Sequence, residues 1–294
     1  MSATANEPWT TRKLLDWLRG ALKDKGVEDS RLCAEMLVAH VLGCPRLKLY
    51  MEVDRPASPD ELSQLRSLAK RALAHEPVQY LVGEASFYGI SLKADKRALI
   101  PRPETQTLVD QAAEAIKSIE DRPPRVADVC TGSGCVAIAI ASQNPGAVVH
   151  ASDIDADALE LARENLERHE LAERITLFSG DLLSALPEGE PFDAIVANPP
   201  YIPDDEWTDV AANVKDHEPT HALRGGVDGL DFVRRIIDEA FERLQPGGLL
   251  ALEVAASQAE AALQLLDASS LSADTAIVRD FTGRPRVVRA TRSA

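Results

Sequence analysis

The segment Arg125-Val126-Ala127-Asp128-Val129-Cys130-Thr131-Gly132-Ser133-Gly134-Cys135-Val136-Ala137-Ile138-Ala139-Ile140-Ala141-Ser142 decides how this chain is read. Val126 to Cys130 is short and apolar, bounded by turn-forming residues, and reads as a buried strand. Thr131 to Gly134 is a glycine loop. Cys135 to Ser142 is apolar throughout and reads as a buried helix. Glycines let the backbone approach a ligand closely, and a helix start leaves free N–H groups to meet it. Strand, glycine loop and helix in that order open an α/β unit.

Working towards the C-terminus, the same alternation continues. Asn144-Pro145-Gly146 is a turn, and Ala147 to Ser152 is a second strand that ends in Asp153. The interval from Gly134 to Asp153 suits an acid placed to bind ribose hydroxyls. Asp155 can cap a helix carrying Leu159, Ala162 and Leu166. Ile175 to Phe178 is a third strand, followed by Gly180-Asp181, where a carboxylate can accept an exocyclic amine. Phe192 to Ala197 is a fourth strand, leading into Asn198-Pro199-Pro200-Tyr201. Leu230 to Leu244 reads as a helix stopped by Gln245-Pro246-Gly247-Gly248. Leu249 to Val254 is a fifth strand, and Ser257 to Leu266 a helix. Thr275 to Arg279 and Arg286 to Ala290 form two last strands around Thr282-Gly283-Arg284-Pro285. Strands alternating with helices imply a parallel sheet wrapped on both faces. The last two strands add an antiparallel edge. The pattern calls for a nucleoside cofactor. Gly132-x-Gly134-x-x-Ala137 also fits a relaxed dinucleotide fingerprint, which keeps a dehydrogenase open.

Towards the N-terminus the periodicity is helical. Leu14, Leu15, Leu18, Ala21 and Leu22 share one stripe between Thr10 and Lys25, ended by Gly26. Arg31 to Leu42 repeats the pattern and ends at Gly43. Ser58, Pro59 and Glu61 open a third helix with a capping box. Residues 1–85 therefore form a small helical domain. Val78 to Leu99 reads as short strands around a Tyr88-Gly89 turn. The alternating prolines of Ile100-Pro101-Arg102-Pro103-Glu104 hold that segment extended, as a wall beside a cleft. Residues 86–104 are thus a β-hairpin and proline-rich connector, and residues 105–294 the α/β domain.

Composition narrows the class. The chain has 294 residues, 45% hydrophobic content and a net charge of −15. No apolar run reaches the roughly eighteen residues needed to span a membrane, and Met1 to Thr11 has no apolar secretory core. The four cysteines have no metal-site spacing, so no metal is expected, and they read as small buried residues in a reducing cytoplasm. An acidic field repels phosphate, so a nucleic-acid substrate is not expected.

Asn198-Pro199-Pro200-Tyr201 carries the chemistry. Two prolines after a strand cannot extend it, and each fixes φ. A stiff corner results at a sheet edge, holding one carboxamide, one carbonyl and one ring together. An amide nitrogen attacks poorly because its lone pair is delocalised. Holding both of its N–H groups with acceptors favours a geometry in which the lone pair points at a methyl donor. The Asn198 side-chain oxygen and the Pro199 carbonyl are two such acceptors, and Tyr201 supplies a flat wall. This is positioning and transition-state hydrogen bonding. Hydride transfer has no use for such a corner.

Asp-Val-Cys-Thr-Gly-Ser-Gly resembles motif I of S-adenosylmethionine-dependent methyltransferases. Asn-Pro-Pro-Tyr is similar to the motif of those that modify amide or amino nitrogens. Ala39-His40-Val41-Leu42-Gly43, Glu76 to Gly83, Leu99 to Glu104 and His217-Glu218-Pro219 extend the resemblance to the HemK/PrmC family over nearly the whole chain. The resemblance implies a class I methyltransferase with a Rossmann-like, mostly parallel sheet behind a substrate-docking helical domain. It also implies methylation of the glutamine in the Gly-Gly-Gln loop of class I peptide chain release factors. Cys130, Thr131, Gly132, Ser133 and Gly134 should then bind the methionine part of S-adenosylmethionine. Asp153 should take its ribose, and Asp181 and Leu182 should flank its adenine. Asn198 should touch cofactor and substrate, with Pro199, Pro200 and Tyr201 completing the glutamine pocket. Two positions depart from the family pattern: Cys130 stands where glycine is usual, and Gln106 where an acid is common. The alternatives are a ribosomal-protein glutamine methyltransferase, a DNA adenine methyltransferase and a non-catalytic nucleoside-binding module.

Overall fold

The computed structural model of the protein describes residues 8–271 and 273–293. The chain divides into two compact units, Met1–Gly83 with Ala212–His217, and Glu84–Ala211 with Glu218–Ala294.

The first unit is helical. It contains α1 (Thr11–Asp24), α2 (Ser30–Leu42), α3 (Arg46–Met51), α4 (Pro59–Ala72) and α5 (Val78–Val82). Leu14, Leu18 and Leu22 on α1, Leu37 and Val38 on α2, Leu49 on α3 and Leu65 on α4 close a common core. Each such side chain removed from water contributes about 2 kcal/mol. The capping box of α4 is present: Glu61 N donates to Ser58 Oγ at 3.2 Å, and Ser58 N donates to Glu61 Oε2 at 2.8 Å. Two elements differ from the sequence expectation. The segment after Cys44 forms the short helix α3, and Val78 to Val82 is helix rather than strand. In α5 the buried residues Val78 and Leu81 recur at a helical interval, and Gly83 ends the helix at φ 77°. One turn is too short for the periodicity to show.

The second unit begins with a hairpin of β1 (Glu84–Phe87) and β2 (Ile90–Lys93), paired antiparallel. Its turn, Tyr88-Gly89, has φ values of 48° and 78°, and two positive values follow the twist of the flanking strands. A 3₁₀ turn at Pro103–Thr105 leads into α6 (Gln106–Ile116). Then follow β3 (Arg125–Val129), α7 (Cys135–Gln143), β4 (Val148–Asp153), α8 (Ala156–Arg168), β5 (Ile175–Ser179) and β6 (Phe192–Ala197). The segment Ala212–Lys215, which belongs to the first unit, is the one-turn helix α9. After it come α10 (Asp231–Arg243), β7 (Leu244–Glu253), α11 (Ala259–Asp267), β8 (Ala273–Arg279) and β9 (Pro285–Thr291). The sheet order is β5-β4-β3-β6-β7-β9-β8, parallel through β7 and antiparallel at β9 and β8. The expected mostly parallel sheet with an antiparallel edge is what forms. β7 starts earlier than expected, at Leu244, because Leu244 pairs with Phe192 before a register shift absorbs Pro246-Gly247-Gly248.

Side chains alternate between the two faces. Val126, Val149, Ala194, Val196 and Ala251 pack with α6 and α7, while Ala127, Val129, Ile195, Leu250 and Leu252 pack with α10 and α11. β6 is buried along its whole length at the centre. The chain runs from β3 to β4 and β5 on one side, then returns to β6 on the other. The carboxyl ends of β3 and β6 therefore flank the point where strand order reverses, which is where open α/β sheets bind ligands. Among the described residues no helix is long and apolar enough to cross a membrane.

Candidate active site

Parallel pairing sets the level of the site. Val129 is in register with both Ser152 and Ala197, and Ala197 with Leu252. Cys130, Asp153, Asn198 and Glu253 thus leave or end four adjacent strands at one height. A cavity of about 280 Å³ lies there.

The glycine loop is braced from below. Asp128, buried at the end of β3, accepts from Thr131 Oγ1 at 2.6 Å and from Ala137 N at 3.1 Å. Burial pushes its carboxyl up to about 7 against those two donors, and the nearby Asp153 adds to the rise. Thr131 N donates to the Ser152 carbonyl at 3.0 Å. The buried Asn165 on α8 donates to the Ser133 carbonyl at 3.1 Å and clasps both backbone groups of Lys93. Cys130 follows the strand rather than continuing it, and its φ is 59°. A left-handed residue with a Cβ costs about 1 kcal/mol, which is the physical reason glycine suits this position. Its thiol is pushed well up, first by burial and then by Asp153. A side chain at Gly132 would meet nothing within 4 Å, whereas one at Gly134 would press on Ala162 at 3.3 Å.

Asp153 Oδ2 accepts from Gly132 N at 2.8 Å, and Oδ1 from Asp155 N at 3.0 Å. Burial raises its pKa, with those two N–H groups opposing. Asp181 pairs with Arg235, and Leu182 is buried at φ 50°.

The proline corner is held by backbone. Ile202 N donates to the Leu223 carbonyl at 2.8 Å, and Gly225 N to the Ile202 carbonyl at 2.9 Å. Gln258 Nε2 donates to the Tyr201 carbonyl at 2.7 Å and to the Asp228 carbonyl at 3.1 Å. Glycine is required for this approach. A Cβ at Gly229, where φ is +73°, would stand 2.2 Å from the Tyr201 carbonyl oxygen and 2.1 Å from Gln258 Nε2. We expect Gly229→Ala to cost about 3 kcal/mol and to lower turnover by displacing Tyr201. Urea unfolding checks this, and a midpoint equal to that of the parent counts against it.

The segment before α6 is fixed by one buried carboxylate. Glu218 accepts from Ile100 N at 3.1 Å and from Arg102 at 2.6 Å. Leu99, Ile100, Pro101 and Arg102 line the cavity, as a wall beside a cleft should.

Of the residues singled out from sequence, Cys130, Thr131, Gly132, Ser133, Asp153, Asp181, Leu182, Asn198 and Pro200 line this one cavity. Gly134, Pro199 and Tyr201 are not among its lining residues. Gly134 starts α7 at φ 79°, and Pro199 is buried. The Tyr201 hydroxyl is raised to about 12, first by burial and then by the Glu253 charge. Sequence reading did not single out Thr105, which lines the cavity and accepts from Asn198 Nδ2 at 3.3 Å. It also passed over His221, paired with Asp155 at 2.8 Å, and Phe232. His217-Glu218-Pro219 was the nearest signal to His221.

The residues fit a sulfonium nucleoside. Three carboxyl groups, Asp128, Asp153 and Asp181, line the cavity, and Gly132 leaves open space before it. Among the described residues the buried Ser133 hydroxyl has no hydrogen-bond partner, and it lies near enough to the Cys135 thiol to lower that thiol's pKa.

Comparison with known proteins agrees. The PrmC N-terminal domain matches residues 13–83, and the methyltransferase small domain matches residues 105–226. A release factor glutamine methyltransferase of Rhodopirellula baltica is 38% identical over 291 residues, spanning 98% of either chain. One of Geobacter sulfurreducens is 41% identical over 285 residues, spanning 96% of either chain. The N-terminal domain of human METTL16, solved in complex with SAH, superposes with a TM-score of 0.52 at 19% identity, over 70% of this chain and 76% of that one. That likeness concerns the fold. At such identity over nearly the full length, the chain belongs to the release factor glutamine methyltransferase family.

Proposed function

We propose that this protein transfers a methyl group from S-adenosylmethionine to the side-chain amide nitrogen of the glutamine in the Gly-Gly-Gln motif of class I peptide chain release factors. The observation that carries the reading is the shared cavity: the Asn198 carboxamide and the Cys130–Ser133 loop line the same space. The bound cofactor supplies an electrophilic methyl carbon on a cationic sulfur. This chain's residues bind and orient.

Asp153 takes the ribose diol. Each of its oxygens is engaged once, so each keeps an acceptor site for a hydroxyl. Asp181 and Leu182 flank the adenine, and the Cys130–Gly134 backbone follows the methionine part. The carboxyl groups at the cavity favour positive charge there. Asn198 Oδ1 and the Pro199 carbonyl accept the two N–H groups of the substrate amide. This turns its lone pair towards the methyl carbon. Pro200 and Tyr201 confine the amide plane. Catalysis by such acceptors depends on their being in place before the charge shifts.

The helical first unit docks the protein substrate in this reading. Leu47 and Met51, one turn apart on α3, are 73% and 75% exposed, an apolar pair suited to a protein partner. A methyl-transfer assay tests the function directly. Purified protein with S-adenosylmethionine is offered a release factor, a ribosomal protein and DNA side by side. One methyl group on the Gly-Gly-Gln glutamine is the expected result. Methylation of the ribosomal protein or DNA instead, or of none, overturns it.

A further inference from the structure

We propose that Thr105 and Glu253 form a positioning relay that sets the Asn198 carboxamide with its oxygen towards the cavity. The inference rests on the proposed reading of Asn198 as the acceptor for the substrate amide, and names what orients it.

Three observations carry it. First, Asn198 Nδ2 donates to Thr105 Oγ1 at 3.3 Å, so the hydroxyl oxygen is the acceptor in that contact. Second, Glu253 lies at the end of β7, one residue beyond the Ala197–Leu252 register pair, and so at the level of Asn198. Alternation puts Ala194 and Val196 on the α6 face of β6, and Leu249 and Ala251 on the same face of β7. Glu253 is thus turned towards the start of α6, where Thr105 stands. Third, the Glu253 carboxyl is fully buried, and among the described residues neither oxygen has a hydrogen-bond partner. The Thr105 hydroxyl is nonetheless close enough to lower its pKa, the first favourable influence on it, with Arg286 and Arg102 next.

Burying an acid without full partners is costly, and an apolar residue would end this strand more stably. A threonine hydroxyl has one proton to give. Given to the Glu253 carboxylate, it leaves only lone pairs for Asn198, which must then present its NH2 group to Thr105. The Asn198 oxygen is left for the cavity. Without that bias the carboxamide can flip, and its NH2 would face the NH2 of the substrate, donor against donor. Arg286, Arg102, Glu104, Tyr201 and Cys135 are the other charged or titratable groups coupled to Glu253.

The test is steady-state methylation of a release factor by Thr105→Val, Thr105→Ser, Glu253→Leu and the Thr105→Val/Glu253→Leu double variant. Thr105→Val should lower kcat about ten- to a hundredfold, the effect of a misplaced hydrogen bond in the transition state. KM for S-adenosylmethionine and the melting temperature should stay near the parent values. Thr105→Ser keeps the hydroxyl and should recover kcat to within about threefold of the parent. Glu253→Leu should lose about as much as Thr105→Val. The double variant should be no slower than the worse single one, because both changes remove the same device. Parent kcat in Thr105→Val, equal losses in the valine and serine variants, or losses that multiply in the double variant overturn the relay. If Glu253→Leu does not fold, the valine and serine pair decides. Parent activity on the release factor tests the functional reading separately from the relay.

Discussion

Asn198→Ala is expected to lower kcat for release factor methylation by about 10²- to 10³-fold while the protein stays folded. The magnitude is that of removing one preorganised acceptor from a site that works by hydrogen bonding to the transition state. The fold should survive because Asn198 contributes little to it. Its side chain is half-buried, and its hydrogen bond to Thr105 is long, at 3.3 Å. Losing that bond costs about 1 kcal/mol or less. The corner itself is held by the backbone of Ile202 and Gly225 and by the Gln258 side-chain amide donating to the Tyr201 carbonyl, none of which needs the Asn198 carboxamide. KM for S-adenosylmethionine should change only a few-fold, since Asp153 and the glycine loop remain. Single-turnover rates and a thermal melt measure both halves. A variant within tenfold of the parent kcat would show that Asn198 is not the acceptor.

The second large effect concerns stability against pH. Burial pushes the Glu253 carboxyl up to about 7, against an ordinary 4.5. Arg286 and Arg102 oppose the rise, while Glu104 adds to it. Between those two values the folded state holds the proton more tightly than the unfolded one. Glu253 therefore supports stability fully below pH 4.5, and that support is lost as pH rises through 7. Glu253→Gln does not titrate. It should be more stable than the parent at pH 8, by up to about 3 kcal/mol, and should lose this advantage by pH 4.5. Asp128, also near 7, sloped in the same direction, is common to both proteins and cancels in the difference. Urea titrations at pH 5 and pH 8 give the comparison. An equal difference at both pH values would mean that folding does not raise the Glu253 carboxyl.

Much of this molecule is legible in local sequence. The Ser58–Glu61 capping box, the Tyr88-Gly89 turn and the strand-loop-helix at Asp128 to Cys135 all depend on residues within a few positions of one another. Apolar period alone distinguishes the helical first unit from the strands of the second. The proline corner is local too, since proline's fixed φ does not depend on what surrounds it. Single-turn elements were less legible. In α3 and α5 the helix is stabilised by burying Leu49, Val78 and Leu81 in a core built by other helices, and a turn or two carries no periodic signal. Pro246-Gly247-Gly248 reads as a stop, yet pairing with β6 carries β7 across it and starts the strand at Leu244.

Residue order alone determined that a parallel sheet forms, that a glycine loop follows its β3 strand, and that a rigid amide-bearing corner follows β6, because backbone geometry and hydrophobic period act over short distances. Only the tertiary structure decided which distant groups complete that corner. Thr105, Asn198 and Glu253 come from three separate segments and meet because β6 and β7 run parallel in one register beneath the start of α6. The glycines at 225 and 229 likewise look like ordinary turn residues until the backbone of Tyr201 is laid against them. Strand register and close packing bring together residues far apart in sequence, and no local pattern says which of them will meet.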